Sequence, residues 1–285
     1  MTREEFRTLT EKGVLLLDGA TGSNLMKAGM PKGVCTEQWV CGHRDVMIRL
    51  QRAYKDAGSQ CVLAPTFSAN RINLKGHGLD GQVRELNEAL VGITKAAVGE
   101  GVYVGGDMTT TGKVDEDYGT LLDAYREQIE ILDKAGVDFI MAETMLGLDE
   151  TMAALEACRQ ASDLPIFCSM TIESDGSLFF GGNVFEAAAA LAEMGADAVG
   201  INCSTGPDRL ESVVKNLKQT VDIPIIAKPN AGMPTITATG EAVYSMEPDE
   251  FAGYMKNLVA AGAGIIGGCC GTTPEYIRKV AEVCL

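Results

Sequence analysis

The stretch Ala135-Gly136-Val137-Asp138, continuing into Phe139-Ile140-Met141-Ala142-Glu143-Thr144-Met145, joins the end of an amphipathic segment to an apolar run that finishes on polar residues. A second amphipathic segment, Asp149–Ala161, follows directly. Short apolar runs suit strands buried on both faces, and longer segments with apolar residues every three or four positions suit helices packed over them. Such a unit, strand and then helix, recurs along the chain.

Eight apolar runs can be counted: Val14–Ala20, Cys61–Phe67, Val102–Met108, Phe139–Met145, Pro165–Met170, Ala198–Ser204, Pro224–Asn230 and Gly264–Gly268. Between them lie helical candidates at Arg44–Ala57, Gln82–Gly99, Tyr118–Ala135, Asp149–Ala161, Val184–Met194, Pro207–Thr220, Pro248–Ala261 and Pro274–Val283. Asp149 as a cap, and Pro207, Pro248 and Pro274 in first turns, mark helix starts. Eight strand–helix units in 285 residues predict an α/β fold, a single (β/α)₈ TIM barrel spanning residues 1–285, with a doubly wound open sheet as the other arrangement. No linker or composition shift divides the chain. Long segments after the strands, Gly19–His43, Glu173–Asn183 and Ala231–Met246, gather on one face; in a barrel that is the C-terminal face, where catalytic groups reside.

Composition narrows the function classes. Twenty-four basic against 39 acidic residues give a net charge of −15, which opposes binding to a phosphate backbone, so no nucleic-acid partner is expected. The charged N-terminus lacks a signal core, and no apolar run reaches membrane-spanning length, so a cytoplasmic protein with no membrane contact is expected. Nine cysteines fit a reducing compartment better than a disulfide framework. His43 and His77, the only histidines, stand far apart and read as surface groups, so a transition metal would rest on sulfur.

Three of the thiols are placed unusually. Cys203 ends Gly200-Ile201-Asn202-Cys203, and Cys269 and Cys270 end Gly267-Gly268-Cys269-Cys270-Gly271, so all three fall at the ends of the sixth and eighth strands. Adjacent residues of a strand point to opposite faces, so Cys269 and Cys270 share a site only where the strand has broken into a turn, which the flanking glycines permit. Three thiolates leave one position of a tetrahedral zinc open, the mark of a catalytic rather than a structural site. A thiol taking that position loses its proton yet, beside an already anionic centre, stays nucleophilic. Cys61, Cys158, Cys168 and Cys284 read as small core residues, with Cys35 and Cys41 undecided.

The chain resembles the homocysteine S-methyltransferase family, the zinc-dependent barrel also found at the N-terminus of cobalamin-dependent methionine synthase. The likeness runs through Leu17-Asp18-Gly19-Ala20-Thr21-Gly22, Thr66-Phe67, Gly106-Asp107, Ala142-Glu143-Thr144, Gly200-Ile201-Asn202-Cys203, Pro229-Asn230-Ala231-Gly232 and Gly267-Gly268-Cys269-Cys270-Gly271-Thr272-Thr273-Pro274. It implies Zn²⁺ on Cys203, Cys269 and Cys270 as metal ligands and catalytic residues, with Asn230 near the open position as a further possible ligand. It also implies that Asp18 and Glu143 face the ammonium of a thiol amino acid, while backbone N–H groups of the first loop, at Gly19 and Ala20, receive its carboxylate. Homocysteine is then the acceptor and methionine the product. Four positions depart from the family's commoner residues: Ser23, Asn24, Pro65 and Lys228; they leave the identity of the acceptor thiol open. Asp107 admits either a structural or a pocket role.

The donor is not set by these motifs. An Asp-x-His-x-x-Gly corrinoid signature is absent, so the methyl group arrives either on a diffusing small molecule, such as S-methylmethionine or a methylammonium compound, or on a separate corrinoid protein. Two other readings stand beside this one: a phosphate-binding barrel enzyme that uses Gly267–Pro274 and the following helix, and a non-catalytic zinc module that docks a corrinoid partner. Trp39, in the first long loop, either walls the pocket or packs. Oligomeric state is not legible.

Overall fold

A computed structural model describes residues 1–113, 115–173, 175–237 and 242–285. Eight strands, all parallel, form one sheet: β1 (Leu15–Leu16), β2 (Cys61–Ala64), β3 (Tyr103–Met108), β4 (Phe139–Met145), β5 (Ile166–Met170), β6 (Ala198–Cys203), β7 (Ile225–Pro229) and β8 (Ala263–Ile266). Neighbours follow chain order from β2 to β8, and β8 pairs in turn with β1, Leu15 opposite Ile265. The seam between β1 and β2 has no ladder but is stitched by other groups. Gln60 donates its N–H to the Leu16 carbonyl (2.8 Å) and accepts the Leu16 N–H on Oε1 (2.9 Å). Asp18 Oδ2 accepts the Leu63 N–H at 2.9 Å. The result is the (β/α)₈ barrel that the repeat predicts, rather than an open sheet.

Inward-facing residues alternate along each strand. Leu15, Cys61, Leu63, Phe139, Met141, Phe167, Ala198, Ile226 and Ile265 fill the lower interior as one buried cluster. Phe6 joins them from the N-terminal helix Arg3–Lys12, its ring 4.6 Å from that of Phe167, and so plugs the end of the barrel opposite the long loops. A Cβ at Gly105 would lie 2.5 Å from the Phe139 ring, which is why β3 carries glycine there. Two residues further along, the inward phase becomes polar: Asp107, Glu143, Ser169, Asn202 and Lys228 are all buried at the C-terminal end. This polar layer is the floor on which the site stands.

Helix boundaries match the periodicity to within a residue or two, with local exceptions. Asp149 lies inside the first turn of Leu148–Ala161, and Gly147 precedes that helix without a side-chain cap, so the cap expected at Asp149 is two residues too late. Pro207 opens a 3₁₀ turn, Pro207–Arg209, ahead of the helix Glu211–Thr220. The first long loop holds two short helices, Gly22–Lys27 and Thr36–Gly42, too brief for a periodic signal. Among the described residues, no helix is long and apolar enough to cross a membrane.

Candidate metal centre

Cys203 is the last residue of β6, opposite Pro229 of β7. Its φ of 58° and the 56° of Ser204 lie in the left-handed region, which non-glycine residues seldom adopt, so the strand ends in a sharp break at the thiol. β8 has already ended at Ile266 when the chain reaches its cysteine pair. The Cys269 N–H donates to the Pro229 carbonyl (2.8 Å), the Gly268 N–H to the Asp18 carbonyl (3.0 Å), and the Ala231 N–H to the Cys270 carbonyl (2.9 Å), so loops from β1 and β7 hold the turn. The Thr272 hydroxyl closes it by donating to the Cys269 carbonyl at 2.7 Å. Gly271 has φ 85°, and a Cβ there would meet the Tyr244 ring at 2.4 Å.

The consequence is that the Cys203 and Cys270 sulfurs lie 3.7 Å apart, and all three sulfurs lie within 4.8 Å of one another. Two thiolates on a tetrahedral zinc, each at roughly 2.3 Å, would stand about 3.8 Å apart. The donor set therefore fits zinc in both chemistry and spacing. With protons instead of a cation among them, the sulfurs compete. Hydrogen bonds from Cys203 and Cys269 hold the Cys270 thiol far below its usual range, at about 3, while bonds to Cys269 and Cys270 push Cys203 well above it.

Asn202, the residue before Cys203, is a hub that sequence reasoning left without a role. Its Oδ1 accepts the Thr144 N–H and the Ser169 hydroxyl, both at 2.8 Å, and its Nδ2 donates to Thr144 Oγ1 at 2.8 Å and toward Cys269 Sγ at 3.9 Å. It thereby ties β4, β5 and β6 to the cysteine turn and holds Thr144 at its left-handed φ of 59°. At Gly200, two residues earlier, a Cβ would lie 2.1 Å from the Ile226 carbonyl oxygen, so only glycine lets β6 approach β7 this closely. The GxNC pattern is thus explained residue by residue.

One cavity of about 460 Å³ brings the cysteines together with Asp18, Asp107, Glu143 and Lys228. Lys228 Nζ donates to Glu143 Oε2 at 2.7 Å, in an ion pair whose side chains are 2% and 10% exposed. Burial opposes the Lys228 charge, but Glu143, Asp18 and Asp107 outweigh it and hold its pKa above the ordinary value. Burial pushes Asp18 up to about 7, against the pull of Lys228 and the Leu63 N–H. Asp107 is driven well above the carboxylate range by burial and by the Glu143 charge. Oδ1 of Asp18 and Oδ1 of Asp107 are both buried without a hydrogen-bond partner.

Gly19 and Ala20 also line this cavity, although the Ala20 N–H is already given to Thr272 Oγ1 at 3.1 Å. Asn230 is buried between the Cys203 and Cys270 loops; its N–H donates to the Thr205 carbonyl (3.0 Å), and its Oδ1 has no partner. Of the four departures, Pro65, Ser23 and Lys228 face the cavity. Asn24 instead braces the first loop against the cysteine turn, donating to the Ala20 carbonyl (2.7 Å) and the Thr272 carbonyl (2.9 Å). Trp39 stacks on His43, ring centroids 4.0 Å apart, and does not line the cavity; His43 and His77 are exposed. Cys61, Cys158 and Cys168 are buried, as is Cys35, which donates to Glu37.

The sequence pattern of homocysteine S-methyltransferase matches residues 15–284. The chain belongs to the homocysteine S-methyltransferase family. It is 32% identical to methionine synthase of Mycobacterium leprae, over 96% of this chain and 24% of that protein, so it spans about a quarter of the length of such relatives. Among solved structures, the oxidized form of the Escherichia coli homocysteine methyltransferase MmuM superposes with a TM-score of 0.82 at 24% identity, covering 97% of this chain and 98% of that one. The metallated form of the same protein gives 0.80 at 23% identity, covering 97% and 99%. At such identities these two structures establish the shared barrel.

Proposed function

We propose that this barrel is a zinc-dependent S-methyltransferase that moves a methyl group to a thiol acceptor, homocysteine to give methionine. The observation that carries the reading is the meeting of three sulfurs, spaced for one tetrahedral cation, with an acidic cavity floor in the same pocket. Zinc held there would supply Lewis acidity that lowers the pKa of the acceptor thiol, so that its proton is lost to solvent while its sulfur stays nucleophilic. Cys203, Cys269 and Cys270 would hold the metal; Asn230, whose buried Oδ1 has no partner, would be a further ligand before the acceptor arrives. Asp18 offers an unpartnered oxygen to the acceptor's amino group, and the loop at Gly19 and Ala20 shapes the wall beside it. The new C–S bond forms as the donor's bond to the methyl carbon breaks, its electron pair leaving with the donor. No strong general base is needed in that displacement; among the described residues no histidine lines the pocket.

The donor reaches the mouth either as a small methylated molecule or on a separate corrinoid protein. Nine unpaired thiols suit a reducing compartment such as the cytoplasm, and the barrel is read as one working unit. The phosphate-turn reading is disfavoured because the Thr272 hydroxyl is fully buried and spent on the Cys269 carbonyl and the Ala20 N–H. Purified protein loaded with zinc should form methionine from homocysteine with methylcobalamin or with S-methylmethionine. Cys203→Ala, Cys269→Ala and Cys270→Ala should each lose zinc and turnover while keeping the fold. Tight zinc binding with no thiol methylated by either donor would favour the non-catalytic docking module instead.

A further inference from the structure

Three carboxyl groups face one ammonium on the cavity floor. Lys228 satisfies only Glu143, at 2.7 Å; Asp18 and Asp107, 1% and 6% exposed, each keep an Oδ1 with no hydrogen-bond partner. A buried carboxylate oxygen without a donor is costly, and a native structure keeps such a group where a ligand, an ion or a water supplies the donor. Two of them in one cavity call for a group with several N–H donors and a positive charge. Glu143 cannot serve as that group's main anchor, since it already carries an ammonium from within the chain.

We propose that Asp107, together with Asp18, is the site that receives the amino group of the acceptor, and that Lys228 withdraws Glu143 from that role by pairing with it. The assignment rests on the thiol-acceptor reading above and deepens it, for it makes the acceptor an aminothiol: a thiol with a protonated amine held on the β1 and β3 side of the pocket. Asp107 is suited to the task because its carboxyl is not what holds it in place. Its N–H donates to Thr66 Oγ1 (3.1 Å) and its carbonyl accepts from the same hydroxyl (2.8 Å), so the backbone is anchored independently of the side chain. The raised pKa of each aspartate reflects burial opposed only in part by Lys228, a shortage of positive charge that an arriving ammonium would correct.

Calorimetric titration of zinc-loaded protein with L-homocysteine and with 4-mercaptobutanoate, which lacks the amine, tests the assignment. The unaltered protein should prefer homocysteine, and Asp107→Asn should weaken homocysteine by about tenfold to a hundredfold, the worth of a hydrogen bond to a charged group, while leaving 4-mercaptobutanoate unchanged. Equal affinity of the unaltered protein for both thiols would overturn the proposal. So would an Asp107→Asn variant that binds homocysteine normally, or one that loses both thiols alike. Failure of the zinc-loaded protein to bind either thiol would sink the thiol-acceptor reading itself, a result distinct from loss of the amine preference.

Discussion

At the scale of single residues, the pocket is governed by charges that have been taken out of water. Asp18 holds its proton up to a pH of about 7 because burial outweighs the help of Lys228 and the Leu63 N–H. An ammonium binds the carboxylate forms, so below that pH the acceptor must displace a proton from Asp18, besides those released from Asp107 and from its own sulfur. Homocysteine affinity should therefore climb with pH more steeply, by one additional proton, below about pH 7 than above it. Asp18→Asn should remove the break while keeping the slope due to the thiol. A titration series with the same slope on both sides of neutrality in the unaltered protein would contradict this. The meeting of Cys203, Cys269 and Cys270 was legible in the sequence because glycines and strand ends frame them. Lys228 showed only as a departure from pattern, since nothing in a linear string tells which carboxylate a lysine will meet 85 positions away.

Secondary-structure elements fix the cluster of three cysteines through their ends. The break of β6 at Cys203, the turn after β8 and the left-handed Thr144 near the end of β4 converge on Asn202, which is buried and makes three hydrogen bonds of 2.8 Å. Asn202→Ala would strand the Ser169 hydroxyl and the Thr144 N–H, at a cost on the order of 2–4 kcal/mol, and would loosen the hold on Cys269. Urea unfolding should show that loss, and competition with a chelator should show zinc affinity reduced by about tenfold or more. Unchanged zinc affinity would mean that the cysteines are positioned without it. Strand and helix order could be read from the apolar periodicity because each element buries one face against its neighbours. The helices of the first loop escaped notice because they are held by packing of Leu25 and Val40 against Met47 and Leu90, contacts that join distant segments.

For the molecule as a whole, the barrel separates stability from chemistry along its axis. Phe6 closes the lower end against Phe167, while the polar layer and the sulfurs occupy the upper end. Phe6→Ala should cost about 3–5 kcal/mol in unfolding free energy through the cavity it leaves, with zinc and homocysteine affinities unchanged at temperatures where the protein stays folded. A parallel fall in ligand affinity would show that the two ends are coupled. The barrel itself was foreseeable from eight repeated units, but its closure was not: the β1–β2 seam depends on Gln60 and Asp18, two side chains whose part in the sheet has no periodic signature. Asp18 thus belongs to both, with Oδ2 on the seam and the residue lining the cavity.

In the proposed function, Cys203, Cys269 and Cys270 hold a zinc ion with room for a substrate sulfur. X-ray absorption at the zinc edge, recorded with and without homocysteine, tests it most directly. A shell of three sulfurs and one lighter atom is expected, becoming four sulfurs when homocysteine is added. A sulfur count that stays the same on adding the thiol would contradict it.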